Sequence, residues 1–230
     1  MIEKGVLYIV STPIGNLEDI TFRAIRILKD SSLIAAEDTR RSKVLLSHYN
    51  ISTPTISYYE HNRYTRIPKL IDHLIDGKDI ALITDAGTPG ISDPAYRLIR
   101  AAINSDCRVE SIPGASASLA ALVASGLPTD RFIFEGFLPH KKGRKGKLEK
   151  VKDIDATIIF YESPNRLVRT LKDILEYIGN RPIAIGRELS KKFEEIMRGR
   201  VSDILSHYNT NKPKGEFVIV IGKDDPNVYF

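Results

Sequence analysis

The sequence predicts an α/β fold built as two successive α/β halves. Short apolar runs with the character of buried strands recur at Val6 to Val10, Leu33 to Ala36, Ile80 to Ile83, Arg108 to Ile112, Phe132 to Phe134, Thr157 to Tyr161, Ile183 to Ile185 and Phe217 to Ile221. Between them apolar side chains return every three or four residues, as at Ile20, Ala24, Ile27 and Leu28. In "SIPGASAS", Ser111 to Ser118, Pro and small residues separate a strand-like run from an Ala-rich helix, Leu119 to Ser125. The join is placed there, giving domains of residues 1–113 and 114–230.

Helix starts follow from local chemistry. Asp93 and Pro94 precede a helical run from Tyr96 to Ile103. Ser163, with Pro164 in the first turn, opens a helix carrying Leu167, Val168, Leu171, Ile174, Leu175 and Ile178, and Gly179 closes it. No repeat and no low-complexity tract interrupts the pattern.

Bulk properties narrow the function classes. At 230 residues, with 42% hydrophobic and 27% charged, the chain is of ordinary globular composition. A net charge of +5 favours polyanionic partners, nucleic acid first among them. The single cysteine, Cys107, excludes an intrachain disulfide, reads as a small buried hydrophobe and suits a reducing cytoplasm. The start resembles no signal peptide, and no apolar segment approaches a membrane span, so a cytoplasmic protein without membrane contact is expected. Histidines 48, 61, 73, 140 and 207 show no metal-ligand spacing, and no metal is expected.

The densest signal is "ALITDAGTPGISDPAY", Ala81 to Tyr96. A buried strand runs directly into a loop of Gly, Pro and Asp, at the strand end where open α/β sheets bind ligands. Gly87 and Gly90 let the chain turn and a ligand approach its backbone, while Pro89 and Pro94 stiffen the loop. The plainer role of Asp93 is to cap the next helix. Neither G-x-G-x-x-G nor G-x-x-x-x-G-K-[ST] is present, which argues against a dinucleotide or a nucleoside triphosphate. "SIPGASASLAALVASGLP" has the same small-residue character and is read as a second wall of the ligand cleft.

Together "STPIGNLEDIT", "AAEDTRRSKVLL", "TDAGTPGISDP", "PGASASLAALVASGLP", "FIFEGFLP", "IIFYESPNRL", "GRELSKKFEE" and "GEFVIVIG" resemble the tetrapyrrole methylase family, in its branch that methylates a cytidine 2′-hydroxyl of small-subunit (16S) ribosomal RNA. The resemblance covers Leu7 to Gly222. It implies two α/β domains with S-adenosylmethionine in a cleft between them, and a homodimer. By resemblance, Pro13 and the loop residues Asp85, Ala86, Gly87, Thr88, Pro89, Ile91, Ser92 and Asp93 meet the cofactor. Ser116 and Ala117 line its far side, and Tyr161, Glu162 and Arg187 reach it from the second domain. Tetrapyrrole-methylating relatives carry a Gly-rich "GxGPGD" at the first strand, where this chain has Ser11 to Asn16, "STPIGN". That departure favours RNA over a tetrapyrrole precursor as substrate.

Charge placement agrees. Lys141, Lys142, Arg144, Lys145 and Lys147 crowd one segment, with Gly143 and Gly146 read as keeping it flexible, and suit a phosphate backbone. Arg41, Lys43 and Arg63 form a second basic region. The catalytic candidates are Glu37 and Arg40, after a buried strand, with Glu60 and His61 of "YYEHNR"; no one of them is assigned as base. "GRELSKKFEE" has the mixed charge that usually means a solvated helix, while its match to the family motif implies that Arg187 and Glu188 contribute to the cleft or the dimer. The expected activity is transfer of a methyl group to small-subunit RNA, free or in the assembled subunit. The rivals are a tetrapyrrole-precursor methylase and a non-catalytic RNA-binding or assembly protein.

Overall fold

In the structure, a computed structural model that describes residues 3–230, the chain divides into two units, one ending at Ser116 and the other beginning at Ala117. The sequence expectation put the join between Pro113 and Gly114. The fold is α/β, with one five-stranded sheet in each unit.

The first unit is a repeating strand and helix chain: β1 (Val6–Val10), α1 (Phe22–Asp30), β2 (Leu33–Ala36), α2 (Thr39–His48), β3 (Thr55–Ser57), α3 (Arg63–Ile75), β4 (Ile80–Ile83), α4 (Ala95–Asn104) and β5 (Arg108–Ile112). The strands lie in the order β3-β2-β4-β1-β5, and every pairing is parallel. Parallel strands covered on both faces must be apolar throughout, which is why β4 reads as an unbroken run and is wholly buried. Leu28, Leu45 and Leu46 of α1 and α2 pack on one face with Val10, Ile34, Ile83 and Ile112. Leu70, Leu74 and Leu98 of α3 and α4 pack on the other with Leu7, Ile9 and Leu82. β3, absent from the sequence reading, is a three-residue edge strand without a fully buried residue, too short and too polar to leave a periodic signal.

The second unit contains α5 (Ala117–Ser125), β6 (Phe132–Phe137), α6 (Arg144–Lys152), β7 (Thr157–Glu162), α7 (Pro164–Tyr177), β8 (Pro182–Arg187), β9 (Glu195–Arg200), α8 (Val201–Thr210) and β10 (Phe217–Ile221). Its sheet runs β6-β7-β10-β8-β9, and only β6 and β7 are parallel. Helices α6, α7 and α8 bury Leu148, Leu171, Ile174 and Ile204 against Ile158, Phe160, Ile185 and Ile219.

The helix expected over "GRELSKKFEE" is not formed. Arg187 ends β8 and Glu195 begins β9, opposite each other in an antiparallel pair. The turn between them is held by Glu188, whose carboxylate accepts from the Glu216 amide (2.8 Å) and from Lys191 Nζ (3.1 Å). Charges that suggested a solvated helix instead close a tight turn. Gly146, expected to loosen the basic segment, lies inside α6.

Gly5 sets the approach of β1 to the turn after α3. It is buried, and its amide donates to the Leu74 carbonyl at 2.7 Å. A Cβ there would stand 2.2 Å from the Lys78 carbonyl oxygen, a backbone atom with no rotamer to escape into. Gly5→Ala is expected to destabilise the protein by about 1–3 kcal/mol, the usual range for overpacking, measured as a lowered midpoint in urea unfolding.

Candidate functional site

Because all five strands of the first unit are parallel, they release the chain at one edge: after Val10, Ala36, Ser57, Ile83 and Ile112. The helix that follows β4 covers one face of the sheet, while those following its neighbours β1 and β2 cover the other. The loops therefore part on both sides of β4, opening the crevice in which α/β sheets hold ligands.

A backbone bridge fixes one side of that crevice. The Thr12 amide donates to the Gly87 carbonyl (2.9 Å) and the Gly87 amide to the Thr12 carbonyl (3.0 Å). Gly87 meets this geometry at φ +82, a left-handed conformation that costs glycine little. The Ser11 and Thr88 hydroxyls bond at 2.9 Å, and the Thr12 hydroxyl donates to the Thr84 carbonyl at 3.1 Å. Asp93 braces the far end of the loop, accepting from the Gly90 amide (2.8 Å) and the Ala95 amide (2.8 Å). Its carboxylate is thereby engaged inside the loop, in the capping role of the plainer reading.

On the other side of β4 stands an acidic cluster. The Thr84 hydroxyl donates to Glu37 Oε2 at 2.5 Å, and the Asp85 amide approaches the same oxygen at 3.4 Å. Asp85 Oδ1 accepts from the Asp38 amide (3.2 Å), and Oδ2 pairs with Arg41 (2.8 Å). Burial pushes the Asp85 carboxyl above its ordinary value and the Glu37 charge raises it further, while Arg41 pulls it down. Arg40 bonds Asp38 instead and holds that carboxyl down at about 2. The structure thus brings Glu37, Arg41 and Asp85 together. Glu60 pairs with Arg63, and the His61 ring lies edge-on to Tyr59 at 6.1 Å; neither joins the cluster.

In the second unit, Tyr161, Glu162 and Arg187 end adjacent rungs of the sheet, with Phe217 opposite both Glu162 and Arg187. The Tyr161 ring packs between Phe134 and Phe137, and its hydroxyl oxygen accepts from the Ser118 amide at 3.2 Å. The Arg187 guanidinium pairs with Glu195 at 2.7 Å and donates to the Lys214 carbonyl at 3.1 Å. Glu162 departs from its expected role. It is only 2% exposed, and its carboxylate accepts from the Ser163 amide (2.8 Å) and the Thr170 hydroxyl (2.6 Å), with Arg166 beside it at 3.3 Å. A carboxylate so placed anchors the start of α7 rather than meeting a cofactor.

A family model for the tetrapyrrole (corrin/porphyrin) methylases matches residues 6–205. The chain belongs to the tetrapyrrole methylase family. It is accordingly a methyltransferase. A protein of Halalkalibacterium halodurans named Ribosomal RNA small subunit methyltransferase I is 53% identical over 220 residues, covering 95% of this chain and 76% of that protein. A Thermotoga maritima protein of the same name is 48% identical, covering 96% of this chain and 100% of that one. Among solved structures, uroporphyrin-III C-methyl transferase from Thermus thermophilus, complexed with S-adenyl homocysteine, superposes with a TM-score of 0.67 over 95% of this chain and 97% of that one, at 19% identity. That likeness is one of fold.

The methylase's basic segment is less uniform than its sequence suggests. Arg144 is 4% exposed, so its expected RNA contact is corrected: Nε pairs with Asp173 at 2.5 Å and Nη2 donates to the Thr170 hydroxyl at 2.7 Å. Lys147 is half-buried, donating to the Glu135 carbonyl at 2.7 Å and pairing with its carboxylate at 3.0 Å. Lys141, Lys142 and Lys145 remain exposed. Among the described residues no group of three or more His, Cys, Asp or Glu side chains is placed to hold a metal ion. Two residues that serve these networks escaped the sequence reading. Thr84 was detectable as the polar residue ending an apolar strand, and Thr170 as a hydroxyl on the apolar stripe of α7.

Two outcomes are expected. Arg144→Ala removes a buried guanidinium from the half-buried Asp173 and the buried Thr170 and should cost about 3 kcal/mol of stability, read by denaturant unfolding. Asp85→Asn removes a carboxylate whose pKa is raised by folding. The native state therefore binds more protons than the unfolded one just above the ordinary carboxylate range, and the parent loses stability as pH rises through that window. The Asn variant should match the parent near pH 3.5 and melt higher near pH 7; an equal difference at both values would remove the charge explanation.

Proposed function

We propose that this methyltransferase uses S-adenosylmethionine to methylate the 2′-hydroxyl of a cytidine in small-subunit ribosomal RNA, in the cytoplasm. The observation that carries the reading is the identity of about half the residues, over nearly the whole chain, with proteins named for that RNA. The "STPIGN" loop after β1, in place of a glycine-rich one, supports it.

The first unit's donor set suits such a cofactor. Among the described residues, the carboxylates Glu37 and Asp85 have one guanidinium bound to them, that of Arg41. Burial first and the Glu37 charge second raise the Asp85 carboxyl, and a cation beside it would relieve both. When bound, S-adenosylmethionine supplies an electrophilic methyl group on a sulfonium cation. Asp85 would hold the cation electrostatically, and Pro13, Gly87, Thr88 and Pro89 would form the wall beside it. Ile91, Ser92 and Ser116 complete the cofactor contacts proposed for the first unit. Glu37 would accept the ribose hydroxyl's hydrogen bond and take its proton, because Thr84 orients its carboxylate from a buried position. Lys43, Lys141, Lys142 and Lys145 are exposed and are proposed to meet RNA phosphates.

The test is transfer of labelled methyl from S-adenosylmethionine to small ribosomal subunits from cells lacking this gene, followed by nucleoside analysis. The expected product is 2′-O-methylcytidine; a different methylated nucleoside, or no transfer, overturns the substrate assignment. Glu37→Gln is expected to lower kcat by about 10²–10⁴-fold, a larger effect than the loss of cofactor affinity that calorimetry shows.

A further inference from the structure

The first unit's strand-end edge carries two tyrosines that the site does not use. Tyr64 is 71% exposed and Tyr96 is 63% exposed. Each is the second residue of its helix, α3 and α4, and these helices pack against each other. The turns that bear them are tied together, because the buried Tyr58 donates its hydroxyl to the carbonyl of Pro94, the residue before α4.

The Tyr64 ring sits among guanidinium groups. Arg63, largely buried, lies over the Tyr64 ring at 4.8 Å and donates to its hydroxyl at 3.1 Å, which orients the ring. The positive charge of Arg97 also reaches Tyr64, and with Arg63 it holds the phenol below its ordinary value. Arg97 is itself exposed. The nearby acids are already engaged, Glu60 with Arg63 and Asp93 with the Gly90 and Ala95 amides. What remains is aromatic surface in a cationic setting, next to the loop that follows β4.

Such a surface fits unpaired nucleotides. Exposed rings accept any base on a π-face, and adjacent cations follow the phosphates. We propose that Tyr64 and Tyr96 are a stacking platform for unpaired bases flanking the methylated nucleotide, with Arg97 on the intervening phosphate and Arg63 fixing the Tyr64 ring. The proposal rests on the RNA substrate proposed above and adds the residues that hold its neighbouring bases.

The probe is a 12-nucleotide single-stranded RNA with 2-aminopurine at its centre, tested against the full chain beside the same sequence in a duplex. Binding should quench the single strand's fluorescence. Tyr64→Ala and Tyr96→Ala should each weaken that binding about tenfold, without changing its salt slope, and the Phe variants should bind like the parent. Arg97→Ala should flatten the salt slope by about 0.7. Cofactor affinity and melting temperature should be unchanged throughout. Parent-like binding by both Ala variants, equal loss in Phe and Ala variants, or equal affinity for the duplex overturns the platform. So does a shift in sedimentation caused by either Ala variant, which would make the patch a contact between copies. Methyl transfer by the parent separates the two readings. If subunits are methylated while the Ala variants bind normally, the platform alone fails; if the parent neither transfers nor binds RNA, the substrate assignment has failed first.

Discussion

Two backbone hydrogen bonds, exchanged between Thr12 and Gly87, hold the first unit's strand-end edge in order. They join the loops after β1 and β4 where the chain would otherwise splay, since the helices after those strands leave to opposite faces of the sheet. With that bridge in place, Thr84 points its hydroxyl at Glu37, and the Asp85 amide and carboxylate meet Glu37, Asp38 and Arg41. The acidic cluster is therefore a product of backbone geometry. Substituting its side chains changes charge and leaves the crevice standing.

The parallel half of the fold was readable because its physics is written in composition. Strands covered on both faces must be apolar, and β1, β2 and β4 appear in the sequence with the bounds they have in the structure. β3 and β9 were not readable. Both are edge strands with one side toward solvent and no fully buried residue, and β9 carries charges that resemble a helix surface. Turns closed by a side chain, as Glu188 closes the one before β9, leave no local pattern either, because the partner at Glu216 lies 28 residues away.

Charge runs hid the largest difference between sequence and structure. Arg144 stands among lysines and reads like them, yet its guanidinium is inside, shared between Asp173 and the Thr170 hydroxyl that also serves Glu162. The signal lay in the partners. Thr170 and Asp173 occupy one helical turn of α7, three residues apart, and Glu162 ends the strand leading into that helix. Guanidinium geometry suits such a buried fork, and the more strongly hydrated ammonium groups of Lys141, Lys142 and Lys145 stay outside. The lysines left exposed are those proposed above to meet RNA, and Arg144, the first residue of α6, anchors that helix beside them.

The central position of β1 has a consequence for how the protein is made. Val6–Val10 lies between β4 and β5, whose residues begin at Ile80 and end at Ile112. β1 therefore has both of its neighbours only after about a hundred more residues have been added. At elongation rates of about 5–20 residues per second, that interval is on the order of ten seconds. For the first part of it, until β4 emerges, a largely apolar strand waits with both hydrogen-bonding edges unpaired, and one edge stays open until β5 follows. The emerging chain thus presents a ready binding segment to any chaperone at the ribosome's exit, and the sheet closes from its middle once β5 arrives.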